Sequence, residues 1–248
     1  MKLKLSKWDP TTMKPHRKVL FIGRSGGGKS VAMRHVLYHM RERVDLAICF
    51  TPTEETRKSF ETMVPPSCVH DALDLRVVDR ALSMQKENVE KGKERSLLLV
   101  ADDCAFDKGV WRTSTIRSAF FNSRHFQMGL VLSMQYLMDL SPDLRTNCDY
   151  IICTADNIHQ NKKRLHQAFF GVFPHYADFD RAFSACTQDF SCCVLDQTQP
   201  NASIETSVFW WRASPALPPF RLCRPVLYKL HERPPAREAK EDVSVVVR

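Results

Sequence analysis

Four of the chain's eight glycines fall within one octet, Gly23-Arg24-Ser25-Gly26-Gly27-Gly28-Lys29-Ser30. An apolar run at residues 19–22 precedes the octet, and residues 31–37 follow it with helical character. In a strand, glycine-rich loop and helix of this kind, backbone N–H groups and the helix N-terminus can surround a phosphate. The octet fits G-x-x-x-x-G-K-S, and we therefore predict that it binds a nucleoside triphosphate.

The octet also predicts which residues contact the phosphates and the metal ion. Lys29 is expected to reach the β- and γ-phosphates, and the Ser30 hydroxyl is expected to ligate Mg²⁺. ATP and Mg²⁺ are therefore the predicted cofactors, with all eight residues of the octet in contact with the nucleotide. The alternative is a glycine-rich turn that ends in Lys-Ser by coincidence, which the flanking strand and helix disfavour.

A second motif consists of an apolar run at residues 97–101 followed by Asp102 and Asp103. A buried strand that ends in acidic residues, downstream of a phosphate loop, resembles a Walker B element. We expect Asp102 to hold Mg²⁺ together with Ser30, and Asp103 to orient or deprotonate the attacking water. The alternative is a strand that ends in a solvated turn. The long interval between the two motifs predicts a strand inserted between them in the sheet.

Length and composition fit one globular domain, long enough for an α/β core, with or without a short appendage. The 248 residues are 44% hydrophobic and 26% charged, which is ordinary for such a domain. We expect no membrane span, because no apolar run approaches the ~20 residues that one needs. The first residues lack the apolar region of a signal peptide, so secretion is not expected. The nine cysteines lack paired metal-ligand spacing and are expected to be buried, reduced thiols.

The net charge of +8 suggests a polyanionic partner, with nucleic acid the first candidate. Basic residues cluster at 14–18, 34–43 and 162–164. Each cluster taken singly is more often a solvated helix face than a binding site. A tryptophan pair, Trp210-Trp211, is expected to pack in the core or at a sheet edge rather than stack on bases.

The pattern of apolar residues predicts alternating strands and helices in a mainly parallel sheet. Strands are expected near 18–22, 46–51, 97–101, 129–134 and 149–154. Helices are expected near 29–41, 54–63, 75–91, 111–121, 157–170 and 177–186. Residues 192–196 and 205–211 are expected to form a late β-hairpin. From Leu217 the proline-rich tail is expected to be irregular and its end mobile.

A third set of residues carries a family resemblance. Arg124-His125 precedes an apolar run that ends at Gln135, and the segment from Pro142 to Asn147 reads Pro-Asp-Leu-Arg-Thr-Asn. With the two earlier motifs, residues 17–212 resemble the FtsK/HerA superfamily of DNA-pumping ATPases. Within that superfamily, they are most similar to the poxvirus-type genome packaging ATPases of large DNA viruses.

The resemblance implies a RecA-like P-loop NTPase fold with helices on both faces and a hairpin added at an edge. It also implies a homohexameric ring that moves double-stranded DNA into a capsid, whose vertex protein is a further candidate partner. By the same resemblance, Gln135 senses the γ-phosphate, and Arg124 is the arginine finger supplied to a neighbouring subunit. Arg145 is the second candidate for the finger, and His125 is either a phosphate contact or a structural histidine.

The resemblance also divides the chain into an extension at 1–16, an ATPase domain at 17–212 and a tail at 213–248. It implies a place in the host cytoplasm, in viral factories, or in the virion. One departure from the superfamily is Asp103, where glutamate is usual outside the viral branch. Two alternatives remain at this point: a HerA-like cellular or plasmid DNA-processing ATPase, and a nucleotide switch or assembly protein that does not translocate DNA.

Overall fold

The computed structural model describes residues 4–104 and 109–231. Its centre is one sheet in the order β1-β9-β8-β7-β2-β6-β5-β3-β4. The strands are β1 (Ser6–Lys7), β2 (Lys18–Ile22), β3 (Leu46–Phe50), β4 (Val69–His70), β5 (Leu97–Asp102), β6 (Met128–Met134), β7 (Tyr150–Cys153), β8 (Ser191–Asp196) and β9 (Val208–Arg212). Only the β7–β8 and β8–β9 pairs are antiparallel, so the predicted mainly parallel sheet is confirmed.

Helices cover both faces of this sheet. They are α1 (Lys29–Met40), α2 (Glu54–Glu61), α3 (Leu75–Glu90), α4 (Ser114–Asn122), α5 (Pro142–Thr146), α6 (His159–Ala168), α7 (Tyr176–Cys186), α8 (Ile204–Ser207) and α9 (Pro225–His231). Side chains of α1 and α2 join one apolar core, while those of α3, α4, α6 and α7 join the other. The central strands are buried on both sides, which is why they read as continuous apolar runs in the sequence.

The inserted strand is present. β6 pairs in parallel with β2 on one side and with β5 on the other, so it separates the strand before the phosphate loop from the strand that ends in Asp102. The late hairpin is also present as β8 and β9. However, the expectation of a strand from residue 205 is wrong, because 205–207 belong to α8. Ser203 begins that helical turn with a capping box to Thr206.

Both ends of the described chain pack on the domain. Strand β1 pairs in parallel with β9, and Trp8 is buried with its ring centroid 5.3 Å from that of Trp211. At the other end, Leu222 is fully buried, and its N–H donates to the Met63 carbonyl at 2.8 Å. The tail was predicted to be irregular, and this is wrong for α9. The predicted mobile end of the tail lies outside the described residues.

Two smaller predictions about helices need correction. The helix expected at 111–121 begins at Ser114, because residues 110–112 form a separate 3₁₀ turn and Thr113 caps the helix. The helix expected at 157–170 is shorter and spans α6. The cysteine prediction is confirmed for eight thiols, which are buried, whereas Cys68 is half-buried. None of the helices within 4–104 and 109–231 is long and apolar enough to cross a membrane.

Candidate nucleotide-binding site

The predicted site residues meet at the carboxyl edge of the parallel strands. In the register of the sheet, Ile22 of β2 pairs with Met134 of β6, and Ser133 of β6 pairs with Asp102 of β5. The phosphate loop follows Ile22 directly, and Gln135 follows β6. Because parallel strands share their carboxyl ends, the loop, the acidic pair and Gln135 lie side by side.

The phosphate loop has the backbone conformation that its glycines allow. Gly26 and Gly28 have φ angles of +75° and +88°, in the left-handed region that side chains disfavour. Gly28 is also the N-cap of α1, which is 12 residues long. The loop therefore delivers backbone N–H groups and the positive end of a helix to the same point, an arrangement that suits an anion. Arg24 and Ser25 are exposed and line the cleft that opens from the loop.

Lys29 is held under the loop. Its side chain is 6% exposed, and Nζ donates to the carbonyl oxygens of Gly23 at 2.7 Å and Arg24 at 3.2 Å. These two carbonyls hold the ammonium group close to the loop, where a phosphate oxygen could replace them as its hydrogen-bond partner. The neighbouring Ser30 is exposed to the cleft, as a metal-binding hydroxyl requires.

Asp102 is a buried carboxylate that accepts a hydrogen bond from one side chain within the described segments. The Ser133 hydroxyl donates to its Oδ1, and only 5% of Asp102 is exposed. Burial raises the pKa of Asp102; the Ser133 hydrogen bond and nearby Lys29 act in the opposite direction, and the charge of Asp103 adds to the rise. A divalent cation would reverse this effect, because it favours the ionised carboxylate.

Asp103 and Gln135 contact each other across the strand ends. The side-chain amide of Gln135 donates to Asp103 Oδ2 at 2.9 Å. Asp103 has φ of +51°, and its N–H donates to the Ser133 carbonyl at 3.2 Å. A non-glycine residue in this conformation is uncommon, and here it turns the carboxylate out of the strand towards the cleft.

The donor set fits Mg²⁺ with a triphosphate better than a protein-only metal centre. Among the described residues there is no group of three or more His, Cys, Asp and Glu side chains that could hold a metal. Mg²⁺ commonly takes one or two protein oxygens, with phosphates and water completing its shell. Ser30 and Asp102 would supply those oxygens, and the metal would neutralise charge on the transferring phosphoryl group.

Sequence analysis missed Thr154, which follows β7 and lies beneath the loop. Its hydroxyl is buried and has no hydrogen-bond partner among residues 4–104 and 109–231. A Cβ built on Gly23 would stand 1.8 Å from Thr154 Oγ1, and one built on Gly27 would stand 2.8 Å from it. The glycines are therefore needed partly because this threonine fills the space under them. A lone threonine after an apolar run carries no signal in the sequence.

A cleft of about 810 Å³ opens from the phosphate loop. Its polar end is lined by Lys29, Ser30, Asp102 and Asp103, and Thr53, Glu55 and Thr56 line it from the start of α2. Phe190, Arg212, Ala213 and Pro215 line it from the late strands. The sequence did not indicate these late residues, because loops distant along the chain bring them to the cleft.

Arg124 lies at the opposite edge of the sheet. It precedes the first residue of β6, whereas the phosphate loop follows the last residue of the parallel strand β2. At ~3.3 Å per residue, the seven residues of β6 separate the two edges by roughly 20 Å. An arginine side chain does not span this distance, so Arg124 cannot contact a nucleotide in its own subunit's loop.

The partner of Arg124 in this chain is Asp149. The side chain of Asp149 is 3% exposed; it pairs with Arg124 and with Arg17, at 3.3 Å, and accepts the Lys18 backbone N–H at 2.8 Å. Lys18 Nζ donates to the Ser123 hydroxyl at 3.3 Å. Arg124 is the outermost cation of this cluster, with 55% of its side chain exposed, against 15% for Arg17 and 4% for Lys18.

Arg145 and His125 differ in exposure. Arg145 is half-buried near the end of α5, where its carbonyl accepts the Cys148 N–H at 3.2 Å, and burial lowers the pKa of its guanidinium. His125 is exposed beside Arg124. Of the two candidate arginines, Arg124 is thus the more accessible to a neighbouring molecule.

The basic clusters are partly committed to contacts within the chain. Arg43 donates to the carbonyls of Met13 and Thr11, and Lys162 pairs with Asp180.

The predicted structural role of the tryptophan pair also holds for Trp211, which is 2% exposed. Trp210 is 36% exposed.

Three comparisons relate the chain to known proteins. The sequence model of the family described as Poxvirus A32 protein matches residues 8–166. The uncharacterized protein L437 of Acanthamoeba polyphaga mimivirus is 30% identical over 222 residues, 86% of this chain and 78% of the relative. The uncharacterized protein 075L of Invertebrate iridescent virus 6 is 27% identical over 79% of this chain and 76% of its own length.

A solved structure shares the fold. The genome packaging NTPase B204 from Sulfolobus turreted icosahedral virus 2, in complex with AMPPCP, superposes with a TM-score of 0.59. It is 16% identical and covers 82% of this chain and 100% of its own. The P-loop NTPase fold predicted from the sequence is therefore confirmed. Since the family match alone spans more than half of the residues, the chain belongs to the Poxvirus A32 protein family.

Proposed function

We propose that this protein is an ATP-driven DNA translocase that packages viral double-stranded genomes into capsids. The observation that carries the proposal is the meeting of Lys29, Asp102 and Asp103 around one cleft, with Gln135 hydrogen-bonded to Asp103. The fold is shared with B204, a protein named for genome packaging, and membership of the Poxvirus A32 family supports the same activity.

In the proposed reaction, loop N–H groups and Lys29 bind the β- and γ-phosphates, and Ser30 and Asp102 would hold Mg²⁺. The bound metal would offset charge that develops on the phosphates. Asp103 accepts a proton from, or orients, the attacking water, and Gln135 positions that carboxylate through its amide. Gln135 is thereby able to report the state of the γ-phosphate to β6.

The location of Arg124 supports a role across a subunit boundary. The Arg124 side chain is exposed and too far from the phosphate loop of its own subunit to contact a nucleotide there. It is therefore available to the nucleotide of a neighbouring subunit. Its ion pair with Asp149 would hold it in an extended position until the neighbour is engaged. Such a finger stabilises charge in the transition state and can raise the rate by about 10³–10⁵. A ring of subunits, with the 17–212 segment as its ATPase domain, is part of the proposal.

DNA contact in this proposal depends on phosphates rather than bases. The net charge of +8 and the exposed Lys163 and Arg164 of α6 suit a sequence-independent partner. Capsid attachment, and a place in viral factories or the virion, follow from the same function.

The testing experiment measures ATP hydrolysis with and without duplex DNA, together with the native mass of the assembly. Stimulation by DNA in a closed oligomer is the expected result. Hydrolysis that DNA does not change would instead favour a nucleotide switch. Stimulation by DNA without any incorporation of DNA into capsids would favour a HerA-like DNA-processing enzyme.

A further inference from the structure

Phe190 is the most exposed of the large apolar side chains in the described part of the chain. It is 74% exposed and lines the nucleotide cleft. Its Cδ1 atom lies 3.6 Å from the position that a Cβ of Gly28 would take. Within residues 4–104 and 109–231, no side chain covers this ring, so its face is available to a ligand of the cleft.

The backbone holds this ring in place through an uncommon turn. Asp189 and Phe190 have φ angles of +49° and +60°, and the Ser191 N–H donates to the Gln188 carbonyl at 2.8 Å. Two left-handed central residues are the signature of a type I′ turn, where asparagine and glycine are normally found. A phenylalanine here departs from that preference without gaining burial. Such departures from local preference concentrate at functional sites.

The lining of the cleft around Phe190 includes apolar residues as well as charged ones. Val31 at the start of α1 is 41% exposed there, and Ala213 and Pro215 line the cleft after β9. The 213–215 segment is fixed to α1, because the Ser214 N–H donates to His35 Nδ1 at 2.9 Å. A ligand that carries charged phosphates at one side and a flat, weakly polar ring at the other matches this mixture of charged and apolar lining residues.

We infer that Phe190 stacks on the base of the bound nucleotide and thereby favours purine over pyrimidine nucleoside triphosphates. The inference rests on the proposed function, since it places a base in the cleft whose loop binds the phosphates. An aromatic face binds any base without hydrogen bonds to its edge, and a purine offers it the larger face. Phe190 is thus a specificity residue that stabilises binding without taking part in phosphoryl transfer.

The test measures dissociation constants of Mg²⁺ complexes of ATP, GTP, CTP, UTP and inorganic tripolyphosphate by calorimetry. Wild-type protein and the variants Phe190→Ala and Phe190→Tyr are compared. We expect Phe190→Ala to bind ATP and GTP about tenfold more weakly or worse, with the preference over CTP and UTP reduced. Tripolyphosphate should bind all three proteins equally, and Phe190→Tyr should behave as wild type.

Phe121→Ala is the matched control, because Phe121 is another exposed phenylalanine, 45% exposed on α4 and absent from the cleft lining. It should leave every affinity unchanged. If Phe190→Ala binds ATP as wild type does, the stacking inference is wrong. If it loses tripolyphosphate equally, Phe190 shapes the loop and the inference is also wrong. If wild-type protein binds neither ATP nor tripolyphosphate, the proposed function itself fails, and this inference falls with it.

Discussion

Gln135 donates a hydrogen bond of 2.9 Å to the carboxylate of Asp103 from the end of the adjacent strand. Gln135 directly follows β6 and Asp103 directly follows β5, so the bond links the ends of two neighbouring strands. In the proposed function, Asp103 orients or deprotonates the attacking water, and Gln135 holds the Asp103 carboxylate in position.

The first prediction separates these two roles. Asp103→Asn should bind ATP normally and hydrolyse it slowly, because the amide cannot take a proton. Gln135→Ala should also slow hydrolysis, with a smaller effect, since the carboxylate survives but loses its orientation. A double-mutant cycle on kcat should show strong coupling between them. Hydrolysis by Asp103→Asn at the wild-type rate would refute the assignment of the carboxylate.

The second prediction concerns the stability of the nucleotide-free protein and its pH dependence. Because burial raises the pKa of Asp102, its carboxyl group keeps more of its proton in the folded protein than in the unfolded chain as the pH rises above 3.8. Stability should therefore fall as pH rises through this interval, and the cost should persist above the folded pKa. Asp102→Asn should remove this cost and raise the Tm without ligand, while reducing the further rise that Mg²⁺ together with ATP causes.

Thermal melts between ~pH 4 and ~pH 8, with and without Mg²⁺ and ATP, would check this prediction about Asp102. Ser83→Ala, on α3 and away from the phosphate loop, provides a control for the effect of any substitution. An Asp102→Asn protein that is less stable than wild type near neutral pH without ligand would contradict the prediction.

The third prediction tests the packing of Thr154 beneath the phosphate loop. Gly27→Ala should lower the free energy of unfolding by about 1–3 kcal/mol, because its methyl group meets Thr154 Oγ1 and the Arg24 carbonyl. Thr154→Ala should restore part of that loss by removing Oγ1. Urea denaturation of the single and double variants gives the coupling. Gly171→Ala, where the added carbon meets open space, is the control and should cost little.

The fourth prediction concerns Arg124 as a finger that acts between subunits. Arg124→Ala should bind ATP with near wild-type affinity but hydrolyse it up to ~10³-fold more slowly. The fold should survive, since Arg17 and the Lys18 N–H still partner Asp149. Arg117→Ala removes an exposed arginine of α4 that pairs with Asp143, and it should keep its activity.

Mixing variants makes this prediction sharper. Lys29→Ala lacks the positive charge that contacts the phosphates, and Arg124→Ala lacks the finger, so each should be inactive alone. In mixed rings, some interfaces join an intact Lys29 site to an intact Arg124. Activity should partly return at concentrations that allow assembly. If mixed oligomers form and remain inactive, Arg124 has only a structural role, and Arg145 becomes the candidate to substitute next.

The fifth prediction concerns DNA affinity and salt. If 6–10 phosphates are neutralised, affinity for duplex DNA should fall by about 10³–10⁵ between ~50 and ~200 mM salt, because condensed counterions are released on binding. Fluorescence anisotropy with two unrelated sequences of equal length would measure this, and the two should bind alike. An affinity that salt leaves unchanged would count against a translocase.

Much of the site could be predicted from sequence because its motifs are local. The octet at Gly23, the acidic pair at Asp102 and the run ending in Gln135 each consist of a buried strand followed directly by functional residues. Continuous apolar runs gave the central strands to within one residue of their observed ends at most positions. Parallel packing then requires that the ends of those strands meet.

The sequence by itself thus determined the fold class, the phosphate loop and which side chains gather at the carboxyl edge. Only the tertiary structure decided what surrounds them: the buried Thr154 hydroxyl, the turn that presents Phe190, and the edge at which Arg124 lies. It also decided that residues 6–7 and 225–231 form a strand and a helix. Each of these depends on contacts between segments far apart in the chain, and no local pattern of residues records such contacts.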